Sequence, residues 1–137
     1  MGRLLAIDYG VKRVGIAVTD PLQIIATALE TVHAKDVLAY LKTYNQNEPI
    51  EAFVVGMPKR LDNTATSNTP FVERFVKQLQ IQFPGKPIHL IDERFTSKTA
   101  LQTMIAGGMK KKDRRDKANV DKISAVIILQ MYMESKK

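Results

Sequence analysis

The chain has 137 residues, of which 45% are hydrophobic and 26% charged, with no cysteine and a formal net charge of +7. That length fits one domain with a real hydrophobic core, expected over 1–137. The absence of cysteine excludes a disulfide framework, a thiolate metal site and a cysteine nucleophile. No apolar stretch approaches the ~20 residues of a membrane helix, and no signal-peptide pattern precedes the first strand, so a cytoplasmic protein without membrane contact is expected.

In chain order, the apolar runs 4–7, 14–18 and 24–32 predict three strands joined by short turns, the first at Tyr9-Gly10 and the second at Asp20-Pro21. Val37, Leu38, Leu41 and Tyr44 recur at helical spacing behind Asp36. Ala52-Phe53-Val54-Val55 is a short continuous apolar run, as in a strand buried on both faces, and Gly56-Met57-Pro58 ends it. Phe71, Val72, Phe75, Val76, Leu79 and Phe83 mark an amphipathic helix that Pro84-Gly85 stops. Ile88-His89-Leu90-Ile91 predicts a fifth strand running into Asp92-Glu93-Arg94. A helix follows, capped by Thr96 or Ser97, with Ala100, Leu101, Met104 and Ile105 on its buried side. The last helix starts near Asn119 and is apolar almost all round through Tyr132, as a deeply buried or partner-bound helix would be.

The order β-β-β-α-β-α-β-α-α implies an α/β fold: a five-stranded mixed sheet with helices on both faces. Functional groups in such sheets tend to lie beyond the carboxyl ends of the parallel strands. Asp8 and the Asp92-Glu93 pair fall at two such ends, and Asp121 falls in the first turn of the last helix. Three converging carboxylates repel unless a cation sits among them. Oxygen-only ligands suit one or two Mg²⁺ or Mn²⁺ ions, which serve phosphodiester displacement by water. Each acid also has an ordinary structural use: Asp8 in the turn, Asp92 bracing the loop, Asp121 at the helix dipole. His89, within a strand, reads as a packed or edge residue.

The basic excess is local. Residues 1–93 hold 10 Lys/Arg and 10 Asp/Glu, whereas 94–137 hold 11 and 4, so the whole +7 lies in the last third. Its centre is Lys110-Lys111-Lys112-Asp113-Arg114-Arg115, behind Gly107-Gly108. A concentration of this kind suits a polyanion, because cations near phosphates release condensed counterions. Nucleic acid is the expected partner, and a solvated loop is the plainer alternative. Lys12 and Arg13 on the first hairpin are further phosphate candidates, and Arg94 offers a planar fork for two phosphate oxygens. Thr96 and Ser97 open a helix whose N–H groups favour an anion, although a simple cap explains them equally well.

The segment from Asp8-Tyr9-Gly10-Val11-Lys12-Arg13-Val14-Gly15 to Asp20 resembles the signature of the YqgF family of pre-16S rRNA nucleases, also called Holliday junction resolvase-like proteins. The likeness continues through Val55-Gly56-Met57-Pro58, Asp92-Glu93-Arg94-Phe95-Thr96-Ser97, and Val120-Asp121-Lys122-Ile123-Ser124-Ala125, covering residues 4 to 132. It implies an RNase H-like fold and a metal-dependent endonuclease in which Asp8, Glu93 and Asp121 are the catalytic, metal-holding acids. It also implies precursor 16S rRNA as the favoured substrate and a branched DNA junction as the alternative. A monomer or a homodimer is compatible, the junction reading requiring a two-fold dimer. Two departures stand out: Asp62-Asn63 replaces the usual Asp-Gly pair, and Ser124 precedes Ala125 where two alanines are usual.

Two other classes fit parts of the chain. Asp-x-Gly on a hairpin resembles the phosphate-binding segment of actin-like ATPases and sugar kinases, but those bind nucleotide between two such domains and this length supplies one. A non-catalytic RNA-binding assembly factor would keep the fold without turnover, and the three retained acids count against it.

Overall fold

Continuous apolar runs, buried on both faces, form the central strands of the sheet. The computed structural model describes residues 2–58, 69–92 and 117–136, with backbone only for 117–121. Five strands form one sheet: β1 (Arg3–Tyr9), β2 (Arg13–Thr19), β3 (Ala26–His33), β4 (Ile50–Met57) and β5 (Ile88–Asp92), in the order β3-β2-β1-β4-β5. β1 runs antiparallel to β2, and β2 to β3, as a meander; β4 lies parallel to both β1 and β5. The helices are α1 (Val37–Asn47), reached through the short 3-10 turn Ala34–Asp36, then α2 (Thr69–Gln82) and α3 (Lys117–Ser135). The mixed five-stranded sheet expected from sequence is therefore present. The helix expected after Thr96 or Ser97 lies outside the described residues.

Two cores separate along the pleat, because successive side chains of a strand point to opposite faces. On one face Leu5, Ile7, Val14, Ile16, Phe53 and Val55 meet Val37 and Leu41 of α1 and Val72, Phe75 and Leu79 of α2. On the other, Leu4, Ala6, Ala17, Ala52 and Val54 meet Ala125, Ile128, Leu129 and Tyr132 of α3. The sheet is thus covered on both faces. Small side chains dominate the second face, so the all-round apolar α3 can approach the sheet closely and spread over β1, β2 and β3. Sequence periodicity placed Phe71 with the buried stripe of α2. It is instead 40% exposed, because the turn it occupies points away from the sheet, and the Arg74 guanidinium lies 5.0 Å from its ring centroid.

α3 is oriented by its carboxyl-terminal half. Tyr132 stacks on His89 of β5 with ring centroids 4.8 Å apart, which places His89 as a packed edge-strand residue, as expected. Tyr132 and Met133 also border Leu4, Ala52 and Pro87, all at the amino edge of the parallel strands. A helix of 19 residues is about 28 Å long, so its first turn lies toward the opposite, carboxyl edge.

The β2–β3 connection is built on one carboxylate. Asp20 accepts hydrogen bonds from the backbone N–H groups of Leu22 (3.1 Å), Ile24 (2.8 Å) and Ile25 (2.8 Å). These donors, led by Ile25, hold the Asp20 carboxyl below the usual carboxylate range. A depressed folded-state pKa contributes stability above the unfolded-state value, and that contribution disappears as pH falls through the folded-state value. Asp20→Ala is therefore expected to lower stability near neutral pH and to flatten the loss on acidification below about pH 4. Urea unfolding across a pH series reads the difference; parallel pH profiles for parent and variant would contradict it.

Candidate active site

The end of β1 is held on both faces. Tyr9 points to the α2 face, where its ring stacks on Phe75 with centroids 4.6 Å apart and planes 18° apart. Asp8, one pleat earlier, has the parity of Leu4 and Ala6 and so belongs to the α3 face, half-buried. The chain then reverses at once. Gly10 N–H donates to the Arg13 carbonyl at 3.0 Å, and a Cβ at Gly10 would stand 2.7 Å from that same oxygen. Only glycine permits so close a closure. Asp8 is thereby fixed at the carboxyl edge between an aromatic anchor and a tight turn.

Register places its neighbours. Asp8 pairs directly with Gly15 of β2. Ile7 pairs with Val55 of β4, so the next residue along, Asp8, stands beside Gly56. Gly56 in turn pairs with Ile91 of β5. Across the α3 face the row therefore reads Gly15, Asp8, Gly56, Ile91. Two strand spacings, about 9–10 Å, separate Asp8 from β5.

The same pleat assigns a face to Asp92. His89 stacks on Tyr132 and Ile91 packs with the α3 core, so odd-numbered positions of β5 meet α3. Asp92 shares the parity of Ile88, which packs in the α1/α2 core, and lies beside Met57 of β4. Asp92 thus belongs to the face opposite Asp8. Glu93 lies outside the described residues. Asp121 lies in α3, within the stretch whose backbone alone is described. Ser124, the departure noted above, is 2% exposed and fits a packed helix face.

Among the cationic candidates, Arg13 begins β2 with the parity of Gly15 and Ala17, on the α3 face at the same edge as Asp8. Lys12 is exposed in the turn, its carbonyl accepting from Ala34 N–H at 3.0 Å. Arg94, Thr96, Ser97, Lys110, Lys111, Lys112, Arg114 and Arg115 lie outside the described residues, as does the Asp62-Asn63 pair. Among the described residues no three His, Cys, Asp or Glu side chains gather to hold a metal; of the expected triad only Asp8 has a described side chain. A cavity of about 1,100 Å³ opens at the amino edge, bordered by Leu4, Ile25, Ala52, His89 and Tyr132, and none of the expected acids lines it. No helix among the described residues is long and apolar enough to cross a membrane.

Sequence reading had not singled out Tyr9 or the flanking role of Gly15 and Gly56. A glycine inside an apolar strand pattern was the available signal, since it marks a close approach of backbone or ligand.

A meander leading into two parallel strands, with helices on both faces and an acid at the end of the central strand, defines an RNase H-like fold. The RuvC of Thermus thermophilus shares it. One structure of that protein, in complex with a Holliday junction substrate, superposes with a TM-score of 0.59 at 16% identity, covering 98% of this chain and 96% of that one. A second gives 0.54 with the same identity and coverage. The family is settled by sequence: the model of the RuvX family, described as Holliday junction resolvase, matches residues 2–135, and the chain belongs to that family. It is 53% identical over its whole length to a protein of Amoebophilus asiaticus named "Putative pre-16S rRNA nuclease", covering 97% of it. A protein of Bacteroides thetaiotaomicron with the same name is 50% identical, with 99% of it covered.

Proposed function

We propose that this chain is a metal-dependent endonuclease that hydrolyses phosphodiester bonds in maturing precursor 16S rRNA, with Asp8, Glu93 and Asp121 as its metal-holding acids. Family membership and the names of relatives about half identical over the full length support the activity and the substrate. The observation that carries the site is the placement of Asp8. It stands at the carboxyl edge of the parallel strands, on the face covered by α3, toward the end where that helix has its first turn and Asp121. The donor set fits Mg²⁺ or Mn²⁺, since it is made of carboxylate oxygens with no sulfur or imidazole. When bound, one or two such ions would balance the converging acids and the charge that grows on the phosphate oxygens during displacement.

The chain's own residues do the rest. Tyr9 against Phe75 and the Gly10–Arg13 closure hold Asp8 still, so little reorganisation accompanies the reaction. Arg13, on the same face and edge, would meet a phosphate of the bound strand. The basic run 110–115 and Arg94 supply further cations for the polyanion, with Lys12 at the hairpin tip. Residues 1–137 act as one nuclease domain in the cytoplasm, as a monomer or homodimer. The family description favours one second reading, cleavage of a branched DNA junction, which needs a two-fold dimer to cut two strands symmetrically.

The parity of β5, which puts Asp92 on the face opposite Asp8, supports Glu93 as the metal-holding acid of the pair. Glu93→Gln is expected to abolish cutting, whereas Asp92→Asn, on the opposite face, is expected to leave the rate within about threefold of the parent. Both are assayed on end-labelled precursor 16S rRNA and on a four-way junction, with Mg²⁺, Mn²⁺ or EDTA. Loss of cutting by Asp92→Asn with Glu93→Gln fully active would reverse the assignment. Binding without cutting under every metal condition would mark a non-catalytic RNA-binding factor instead.

A further inference from the structure

α2 starts at the carboxyl edge of the sheet. The hydroxyl of Thr69, its first residue, donates to the Pro58 carbonyl at 3.1 Å, just past the end of β4. Phe75 turns inward and stacks on Tyr9, the residue after Asp8. Phe71 lies one turn nearer the amino end of the helix, about 6 Å along its axis, and so beyond Phe75 at the same edge. Among the described aromatic residues Phe71 alone is exposed. Arg74, also exposed, sets its guanidinium over the ring, 5.0 Å from the centroid. Exposed Lys77 follows one turn on, and Glu73 is the one acid of α2.

A single apolar side chain in solvent is ordinary; this one is set apart by its cationic partner and by its place. Nucleic-acid bases stack on aromatic rings and guanidinium planes, whatever their sequence, because every base has a π-face. The guanidinium takes one face of Phe71 and leaves the other for a base. A base within a duplex has both faces covered by its neighbours, so an unpaired nucleotide is what fits. Asp8 belongs to the α3 face and Tyr9 to the α2 face. A strand crossing this edge therefore passes from the acid, over the Tyr9–Phe75 pair, to Phe71. We propose that Phe71 and Arg74 form a nucleotide-binding subsite, in which an unpaired base of the RNA, a few nucleotides from the cut bond, stacks on Phe71 while Arg74 and Lys77 meet its backbone phosphates. This rests on the reading of the carboxyl edge as the nuclease site and adds that the substrate is single-stranded beside the cut.

The test titrates the parent chain, Phe71→Ala, Phe71→Trp and Arg74→Gln with a short labelled single-stranded RNA and with the same RNA annealed to its complement. Binding is measured in EDTA, so that it is read apart from cutting. Phe71→Ala is expected to weaken single-strand binding about fivefold or more and to leave duplex binding within about twofold of the parent. Arg74→Gln is expected to weaken single-strand binding and to lower its salt slope by about one. The chain has no tryptophan, so Phe71→Trp carries a single reporter; it should bind like the parent and lose emission on the single strand but not on the duplex. Phe71→Ala with parental single-strand affinity, or Phe71→Trp with unchanged emission, would overturn the proposal. Equal losses of single-strand and duplex binding would overturn it too, and would make Phe71 part of a general contact surface. Cleavage of precursor rRNA by Asp8→Asn is the separate arm: abolished cutting beside an unaffected Phe71→Ala leaves the nuclease reading standing without the subsite. Parental cutting by Asp8→Asn would remove the nuclease reading itself.

Discussion

Asp8→Asn is expected to slow cleavage about 10²–10³-fold while the protein folds and binds nucleic acid as before. The substitution keeps shape and one acceptor oxygen but removes the charge. Lewis-acid stabilisation of a phosphoryl transition state is worth several kcal/mol, and each 1.36 kcal/mol is a factor of ten. The fold should tolerate it, because Asp8 is half-buried at the carboxyl edge and a backbone hydrogen bond from Gly10 N–H to the Arg13 carbonyl closes the turn. Tyr9 against Phe75 also stays in place. Thermal unfolding and a gel-shift titration with precursor rRNA check the two unchanged properties, and single-turnover cleavage checks the changed one. An Asp8→Asn variant that cuts within twofold of the parent would refute the metal assignment.

The largest loss of stability is expected at Phe53. It is 0% exposed in β4, pairs with Leu5 and Ile88, and its ring meets that of Phe83 with centroids 5.0 Å apart at 55°. Truncating a buried phenylalanine removes its transfer free energy and leaves a cavity, together about 3–5 kcal/mol. Domains of this kind hold about 5–15 kcal/mol in all, so Phe53→Ala should lower the melting temperature by roughly 10–20 °C. Phe71→Ala is the contrast: 40% exposed and packed only against the Arg74 guanidinium 5.0 Å from its ring centroid among the contacts described, it should cost under about 1 kcal/mol. Urea denaturation with unchanged slope separates the two. Equal losses would mean that α2 packs by a different face.

Periodicity located the described elements because each obeys a local rule. The continuous apolar runs of β1, β2 and β4 and the Val72-Phe75-Leu79 stripe of α2 are set within a few residues of one another. Phe71 shows where that legibility stops, since a helical stripe is wide enough for its margin to fall either side of the buried surface. The acids Asp8, Asp92, Glu93 and Asp121 could likewise be named from position alone, at strand ends and in a first turn.

Sequence by itself therefore determined the strand and helix segments, the mixed α/β arrangement they compose, and the short list of acids. Tertiary structure decided which of those residues share a face. Adjacent residues of a strand point oppositely whatever their order, and only pairing with a distant strand and the seating of α3 reveal which side each one takes. His89 on Tyr132 and Ile91 in the α3 core assign the sides of β5 and put Asp92 opposite Asp8. The register Asp8–Gly15 and Ile7–Val55 sets two glycines from segments 7 and 48 residues away beside one carboxylate. Such lateral neighbours are fixed by hydrogen bonds between strands, a long-range property that no local pattern of residues carries.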